Sequence, residues 1–398
     1  MLRDAIVSSL VASGRDCIDA DVASTPTIGV LVRTTSAAGG IQISASHNPP
    51  PYNGIKLFGG DGRVLDAVSG AKIRDAYHAS QVQWASYDRL GSVQVEADPH
   101  RPHLELILPT VDVPAIQKQR FKVLLDSNHG AGAALGRRLL EHLQCDVDIV
   151  GEEPTGLFDH VPEPTAANLT GIADRIAQSG HQVGFCQDPD ADRLALIDET
   201  GRYIGEEATL ALCVWRAMEV GRTNGPIVIN GATSSMSAAI ADRYGVATHR
   251  SAVGEANVCD RMIAESAAYG GEGNGGPIDP TVGYVRDSFV AMAQVMDLMT
   301  RTGRSLSQLA DDLPTFHLHK DKADLSDEPL RDVFDRIALH FSDADADRSD
   351  GLRLSWPGKW LLVRGSNTEP IVRMIAEAET MDEAVSMCET AKTMATGG

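Results

Sequence analysis

Hydrophobic and polar positions along this chain fall into blocks of two kinds. Short apolar runs at 122–125 (KVLL), 183–186 (VGFC) and 227–229 (IVI) each end in a polar loop. Stretches with apolar residues three and four apart follow, at 131–143, 207–219 and 234–244. The first kind predicts buried strands and the second amphipathic helices. Strands alternating with helices of this length predict an α/β class built on parallel sheets with crossover helices. In such sheets ligands collect beyond the carboxyl ends of the strands, and the unusual loops of this chain lie there.

Three interruptions divide the pattern: a proline-containing stretch at 98–109, a glycine turn at 201–205, and Pro314, which precedes the charged segment 320–327. Units are therefore expected at 1–105, 106–203, 204–314 and 315–398, within the two to four domains that 398 residues allow at about 150 per domain. Hydrophobic residues make up 43% of the chain, enough for several cores. Met1 leads directly into an amphipathic helical pattern, so no signal peptide is expected. No apolar run reaches the roughly 18 residues of a membrane span.

Charge and cysteine usage narrow the partners. With 35 basic and 55 acidic residues the net charge is −20, a surface that repels nucleic acid and anionic lipid. Any anionic substrate then needs a local basic pocket. Cys17, Cys145, Cys186, Cys213, Cys259 and Cys388 are scattered without a C-x-x-C pair. That spacing argues against a zinc site or a disulfide framework and predicts a reducing, cytoplasmic setting.

Four loops carry candidate chemistry. The first, 44–56, places Ser46 beside His47 and Lys56, on a segment stiffened by Pro49, Pro50 and Pro51. Ser46 there reads as a nucleophile, a phosphate carrier or a plain turn serine. The second, 188–193, has Asp188, Asp190 and Asp192 alternating before Arg193. Carboxylates so spaced can converge on a hard cation such as Mg²⁺ or Ca²⁺. An EF-hand reading finds Glu199 at the twelfth position. It fails at the sixth, where Arg193 replaces the required glycine, and on flanks that read as strands. The third loop, 270–276, sets Glu272 and Asn274 among five glycines, where a backbone can approach a ligand closely. The fourth joins Arg364, Ser366, Asn367 and Thr368 in one turn, with Arg373 behind, a phosphate cradle or an ordinary polar turn.

Taken in this order, the loops resemble those of the α-D-phosphohexomutase family, which includes phosphoglucomutases, phosphomannomutases and phosphoglucosamine mutases. The resemblance runs from the first residues to the last and extends to 126–132 (DSNHGAG), 253–258 (VGEANV) and 371–378. It implies three α/β domains with mixed sheets and a smaller α+β C-terminal domain around a central cleft. It implies a phosphoserine at Ser46, and Mg²⁺ held by Asp188, Asp190 and Asp192 together with Ser46. Lys56 and Arg193 would flank the transferred group, with Lys56, His47 and His129 as acid/base candidates. Glu272 and Asn274 would read sugar hydroxyls, and Arg364, Ser366, Asn367, Thr368 and Arg373 would hold the second phosphate. A hexose 1,6-bisphosphate activator and a monomer or homodimer are the remaining expectations.

The chain departs from the family pattern twice. The family normally opens with a strand, a helix and a basic loop, whereas residues 1–5 here read as the helix after that loop. A truncated first unit with exposed apolar faces is expected from this. The sugar loop also lacks the Ser-Gly-His of many bacterial members and has Asn274-Gly275-Gly276 instead. Its form is closer to archaeal-type glucosamine or mannose phosphate mutases, and tips the expectation toward glucosamine phosphate. Two readings compete: a phosphatase, which needs neither the sugar loop nor the second phosphate loop, and a non-catalytic sugar-phosphate binder.

Overall fold

The computed structural model describes residues 1–48, 51–80, 82–324, 328–366 and 371–396. The first stretch contains α1 (Leu2–Ala12), β1 (Cys17–Asp19), α2 (Thr25–Thr34), β2 (Gly39–Ile43), β3 (Ile55–Gly59), α3 (Ala67–His78) and β4 (Val93–Val95). Next come α4 (Arg101–Ile107), α5 (Val113–Gln119), β5 (Lys122–Asp126), α6 (Ala133–His142), β6 (Asp146–Val150), α7 (Thr170–Ser179), β7 (Val183–Gln187) and β8 (Leu194–Asp198). A third group holds α8 (Glu206–Glu219), β9 (Ile227–Asn230), α9 (Met236–Arg243), β10 (Thr248–Ser251), α10 (Glu255–Ala264), β11 (Tyr269–Glu272), β12 (Gly276–Ile278), α11 (Ser288–Thr302) and α12 (Leu306–Asp311). The last comprises β13 (His317–Asp324), α13 (Leu330–His340), β14 (Asp345–Asp347), β15 (Leu352–Trp356), β16 (Lys359–Gly365), β17 (Ile371–Ala378) and α14 (Met381–Thr396).

The two middle sheets share one plan, with orders β6-β5-β7-β8 and β10-β9-β11-β12. In each, three strands run parallel and the last pairs antiparallel at one edge. The apolar pattern pointed to parallel sheets and the family resemblance to mixed ones, and the sheets are mixed. A run such as 194–198, buried on both faces, looks the same in either direction. In both sheets the first strand lies between the second and the third, so the strand order reverses there. The loops after β5 and β7 meet there, Ala131 N donating to Pro189 O at 2.7 Å, and those after β9 and β11 meet through Gly273 N and Thr233 Oγ1 at 3.0 Å.

The cores do not follow the expected boundaries one for one. A continuous apolar cluster joins Leu125, Leu139 and Phe185 of the first middle sheet to Val214, Tyr269 and Phe289 of the second. Helices α8 and α11 lie between the sheets and are buried along most of their length. The stretch 98–109, read as a junction, is largely the helix α4, entered through Pro102 in its first turn. Its buried His103 bonds Thr27 Oγ1 (3.0 Å) through Nδ1 and Asp287 Oδ2 (2.7 Å) through Nε2.

The C-terminal sheet is wholly antiparallel, in the order β13-β17-β16-β15-β14. One face packs on α13 and α14 through a separate core of Val333, Ile337, Leu361, Val363, Met374 and Cys388. The other presents Arg353, Trp360, Arg364 and Glu377 toward the rest of the chain. Among the described residues of 1–95 the strands form two-stranded ribbons, β1-β4 and β2-β3, with small clusters around Leu31 and Phe58. Ile18, Ile41, Ile55, Val93 and Val95 are exposed on those ribbons.

Phe289 sits at the centre of the shared core and is fully buried. Phe289→Ala should destabilise both middle sheets in one transition, by about 3–5 kcal/mol. Urea unfolding followed by tryptophan emission would show it, and a loss below 1 kcal/mol would mean the two sheets do not share that core.

Candidate active site

Ser46 is delivered by the β2–β3 hairpin, whose strands are in register from Gly39 with Gly59 to Ile43 with Ile55. The hairpin stays closed past the last pair because Ser44 N donates to Gly54 O at 3.0 Å. A Cβ on Gly54 would lie 2.5 Å from the Ser44 carbonyl oxygen, so the approach needs glycine. Ser46 takes a left-handed φ of +48° and its N–H donates to Ser44 Oγ at 2.9 Å. A β-carbon makes that conformation unfavourable. Here it aims Ser46 Oγ at Asp188 Oδ2, 2.9 Å away, with His47 Nδ1 at 3.3 Å.

The loop after β7 brings Asp188, Asp190 and Asp192 together, all buried, with one carboxylate oxygen of each inside a 4.8 Å cluster. Lys56 Nζ, from β3, lies 2.5 Å from Asp190 Oδ2 and 2.8 Å from Asp192 Oδ2. Arg286, in the segment before α11, reaches the same Asp192 oxygen at 2.7 Å. It also binds Glu255 Oε2 at 2.7 Å and Glu272 Oε2 at 2.9 Å. Thr25, at the start of α2, donates its hydroxyl to Asp190 Oδ2 and its N–H to the Asp190 carbonyl.

Charge explains these partners. Burial, together with Asp192 and Asp190, pushes the Asp188 carboxyl well above its usual range. Burial would raise Asp192 too, but Arg286, Lys56 and Arg193 hold it well below. Burial also opposes the Lys56 ammonium, and Asp192 and Asp190 more than offset it, so its pKa is raised. Asp190 Oδ1 and Asp192 Oδ1 are buried and find no hydrogen-bond partner among the described residues. Orphaned carboxylate oxygens in an all-oxygen cluster of this size are the donor set a hard divalent cation takes. The residues present therefore fit a metal, held by Asp188, Asp190 and Asp192 beside Ser46 Oγ.

The sugar-loop candidates stand next to this cluster. Glu272 Oε1 accepts from Asn230 Nδ2 at 2.6 Å and from Gly254 N at 3.0 Å. Arg286 thus links Glu272 to Asp192 through one guanidinium. Asn274 Oδ1 is buried without a partner among the described residues. A Cβ on Gly273 would lie 2.0 Å from Glu207 Oε2, so only glycine lets the loop close on the first turn of α8. Burial pushes Glu206 up to about 7 and Glu207 up to about 8, against the pull of Arg193 and Lys320 on the first and of Lys320 on the second.

Across the cleft, the C-terminal sheet sets Arg364 of β16 opposite Arg373 of β17, and Arg373 opposite Lys322 of β13. Directly opposed residues share a face, so these three cations form a row. Arg364 Nε lies 3.4 Å from Asp350 Oδ1, and Ser366 N donates to Ile371 O at 2.9 Å. Asn367 and Thr368 lie outside the described residues.

Two catalytic candidates are placed differently from one another. Arg193 stays at the triad, with Nε 3.8 Å from Asp192 Oδ1. His129 has its ring engaged elsewhere, Nδ1 to the Glu153 carbonyl at 2.8 Å and Nε2 to Asp159 Oδ2 at 3.2 Å. Among the described residues it has no hydrogen bond to Ser46 or the triad, although its loop meets the metal loop through Ala131 N and Pro189 O. Sequence reasoning missed Thr25, Glu206, Glu207, Arg286, Lys320 and Lys322. Arg286 was implied by charge, because five clustered acids need more cations than Lys56 and Arg193. Lys320 and Lys322 carried a period-two signal, but in a segment read only as charged.

Comparison with known proteins follows the same three blocks. Models of the phosphoglucomutase/phosphomannomutase α/β/α domains I, II and III match residues 1–83, 101–201 and 206–316. A phosphoglucomutase/phosphomannomutase of Thermococcus kodakarensis is 35% identical over 389 residues, covering 96% of this chain and 84% of its own length. A probable phosphoglucosamine mutase of Methanopyrus kandleri is 30% identical over 386 residues, with the same 96% and 84% coverage. The crystal structure of a phosphoglucomutase/phosphomannomutase family protein from Burkholderia thailandensis superposes with a TM-score of 0.84 at 22% identity. That match covers 100% of this chain and 87% of the other.

Metal binding can be read without turnover. Mg²⁺ or Mn²⁺ should raise the thermal midpoint, by about 2.7 kcal/mol of stability at a hundredfold excess over Kd. Asp188→Asn should remove most of that gain, and an unchanged gain would remove Asp188 from the ligand set. A second outcome concerns Glu207, whose carboxyl ionises near 4.5 when unfolded and near 8 when folded. The folded state then binds the extra proton between those values, so this contribution is present below about pH 4.5 and lost as pH rises through 8. Glu207→Gln should flatten the decline of stability across that window, as measured by urea midpoints at each pH.

Proposed function

The chain belongs to the α-D-phosphohexomutase family, and on that premise we propose that it converts glucosamine 6-phosphate to glucosamine 1-phosphate through a phosphoserine at Ser46. It is an intramolecular phosphotransferase, and phosphohexomutase activity is common to the relatives it matches. The observation that carries the site assignment is the 2.9 Å contact of Ser46 Oγ with Asp188 Oδ2, between loops 142 residues apart in sequence.

The chemistry starts from a phosphorylated Ser46. A phosphoserine brings close to two negative charges into a place already lined by three carboxylates. Mg²⁺ bound by Asp188, Asp190 and Asp192 would neutralise that charge and polarise the phosphoryl group. Lys56, kept as an ammonium by its two aspartates, and Arg193 supply further positive charge where the phosphoryl oxygens lie. A sugar hydroxyl attacks phosphorus, its new O–P bond forms as the Ser46 Oγ–P bond breaks, and Oγ takes up a proton. Lys56 carries such a proton, while His47, 3.3 Å from Oγ, is shifted toward its neutral form by burial and by Arg193. The attacking hydroxyl loses one proton as Oγ gains one. In the return half-reaction, when Oγ attacks the bisphosphate, His47 is the base placed to take its proton, while Lys56, held as an ammonium, balances the charge on the transferred group.

The product of the first half-reaction is a hexose bisphosphate, which must return its other phosphate to Ser46. The row of Lys322, Arg373 and Arg364 supports a fixed site for whichever phosphate is not reacting. Its sheet has a core of its own, so the last unit can shift against the shared core while the bisphosphate turns over. We take residues 1–105, 106–203, 204–314 and 315–398 as the working units of this cycle, with hexose 1,6-bisphosphate as activator. Six free cysteines support a reducing, cytoplasmic setting.

Preference for an amino sugar rests on Glu206 and Glu207. Neither carboxylate has an ion-pair partner within 4 Å among the described residues, and Glu206 Oε1 is buried without a hydrogen bond. An ammonium on the sugar would favour their ionised forms, which burial otherwise disfavours. The relative at 35% identity, a phosphoglucomutase/phosphomannomutase, supports the second reading, glucose or mannose phosphate.

A coupled assay with Mg²⁺ and trace hexose 1,6-bisphosphate decides between them. Glucosamine 6-phosphate should turn over with the highest kcat/KM, ahead of mannose 6-phosphate and glucose 1-phosphate. Ser46→Ala should reduce turnover by at least about 10³-fold while leaving phosphosugar binding within threefold. Retained turnover would end the Ser46 assignment, and a higher rate on mannose or glucose phosphate would transfer the assignment to that sugar.

A further inference from the structure

At the seam between the third group of elements and the C-terminal sheet lie two guanidiniums that the phosphotransfer chemistry does not use. Arg250, on β10, donates to the carbonyls of Asn230 (3.1 Å) and Thr233 (2.8 Å) and to Ser235 Oγ at 3.5 Å. Arg353, on β15, donates to the Gly231 carbonyl at 3.2 Å and to Ser355 Oγ. Every one of these acceptors is uncharged. Among the described residues neither arginine has a carboxylate within ion-pair distance, whereas Arg216, Arg286 and Arg336 each have one.

The two cations are also close to each other. Their guanidinium carbons lie 5.9 and 4.7 Å from the centre of the same indole, Trp360. Burial, and then Arg250, push the Arg353 pKa down to about 9, and burial lowers Arg250 as well. Glu377 acts on both through space, but its oxygens accept hydrogen bonds from Ser235 N and Trp360 Nε1. Two like charges held in a partly dry seam with less than two opposite charges favour an anion from solvent.

There is room for one. A cavity of about 500 Å³ opens on one side of the pair and another of about 230 Å³ on the other, and Arg250, Arg353 and Ser355 line both. The smaller is rimmed by Asp345, Asp347 and Asp350. The larger has a single acid in its lining, Asp242, its Lys359 being ion-paired with Glu383 at 2.7 Å, so it is the side an anion would enter.

We propose that Arg250 and Arg353 form a second anion site that binds a phosphate group, either free or as a phosphate monoester. Paired guanidinium forks suit the geometry and charge of such a dianion. The site is separate from the Lys322–Arg373–Arg364 row and does not depend on the sugar preference or on Ser46. Arg250 and Arg353 belong to different units, so the bound anion ties the C-terminal sheet to β10 and holds the two in one relative position.

Equilibrium dialysis of the full chain against labelled inorganic phosphate and, separately, labelled glucose 6-phosphate tests this. Ser355→Glu places a carboxylate beside both arginines without removing either, so folding is kept and the site is filled from within. A thermal midpoint at or above that of the parent confirms the fold. For a monoester ligand, glucose 6-phosphate should bind at two sites per chain, and Ser355→Glu should weaken one of them at least tenfold. Arg364→Met should affect only the other. For free phosphate, only inorganic phosphate binding should fall tenfold or more in Ser355→Glu. Unchanged binding of both probes in Ser355→Glu and in Arg353→Met would overturn the proposal and leave the arginines as packing partners of Trp360.

Discussion

Three buried carboxylates within 4.8 Å of one another set the terms for the rest of this molecule. Left alone they would repel strongly in a poorly solvated site, and at least one would take up a proton. The fold answers with cations from three separate places: Lys56 from the β2–β3 hairpin, Arg193 from the same loop, and Arg286 from the entry to α11. Each must reach the cluster from its own element, so the hairpin, the metal loop and the sugar loop are held in one arrangement by charge. Arg286 makes this explicit, because its three nitrogens bind Asp192, Glu255 and Glu272, one acid from each of three neighbouring segments.

That arrangement has a base and a cover. The base is the core shared by the two middle sheets, with α8 and α11 between them. Because both sheets reverse strand order at their first strand, their open ends lie where the metal loop and the sugar loop emerge. The cover is the antiparallel C-terminal sheet, which has a core of its own. Its attachments are few and polar: Glu377 to Ser235, Arg353 to Gly231, and Val253 to Asp350. Such contacts hold an orientation without the large apolar area that would freeze it.

The loops were legible in the sequence because each is local. Ser46 to Lys56, Asp188 to Arg193, Gly270 to Gly276 and Arg364 to Arg373 each carry their residue types at short spacing. The strands at 122–126 and 183–187 and the helices at 133–142, 206–219 and 236–243 could be read from period alone. Their ends fell within about two residues of the expectation. The helix over 101–107 was missed because its proline reads as a break, although proline in a first turn starts a helix. That the sheets are mixed came from the resemblance and not from the pattern, because a strand buried on both faces, such as β8, has the same pattern in either direction.

What the sequence by itself determined was the chemistry available and the order in which it occurs: a serine loop, an acidic loop, a glycine-rich sugar loop and a basic turn, on α/β elements. Only the tertiary structure decided which groups meet. It placed Ser46 Oγ against Asp188, brought Arg286 to the triad, engaged His129 with Glu153 and Asp159, and aligned Lys322 with Arg373 and Arg364. The physical reason is range. Periodicity and turn chemistry act over a few residues and leave their mark in the sequence. Coulomb pairing and core sharing act between segments 100 or more residues apart, through positions that no local pattern distinguishes.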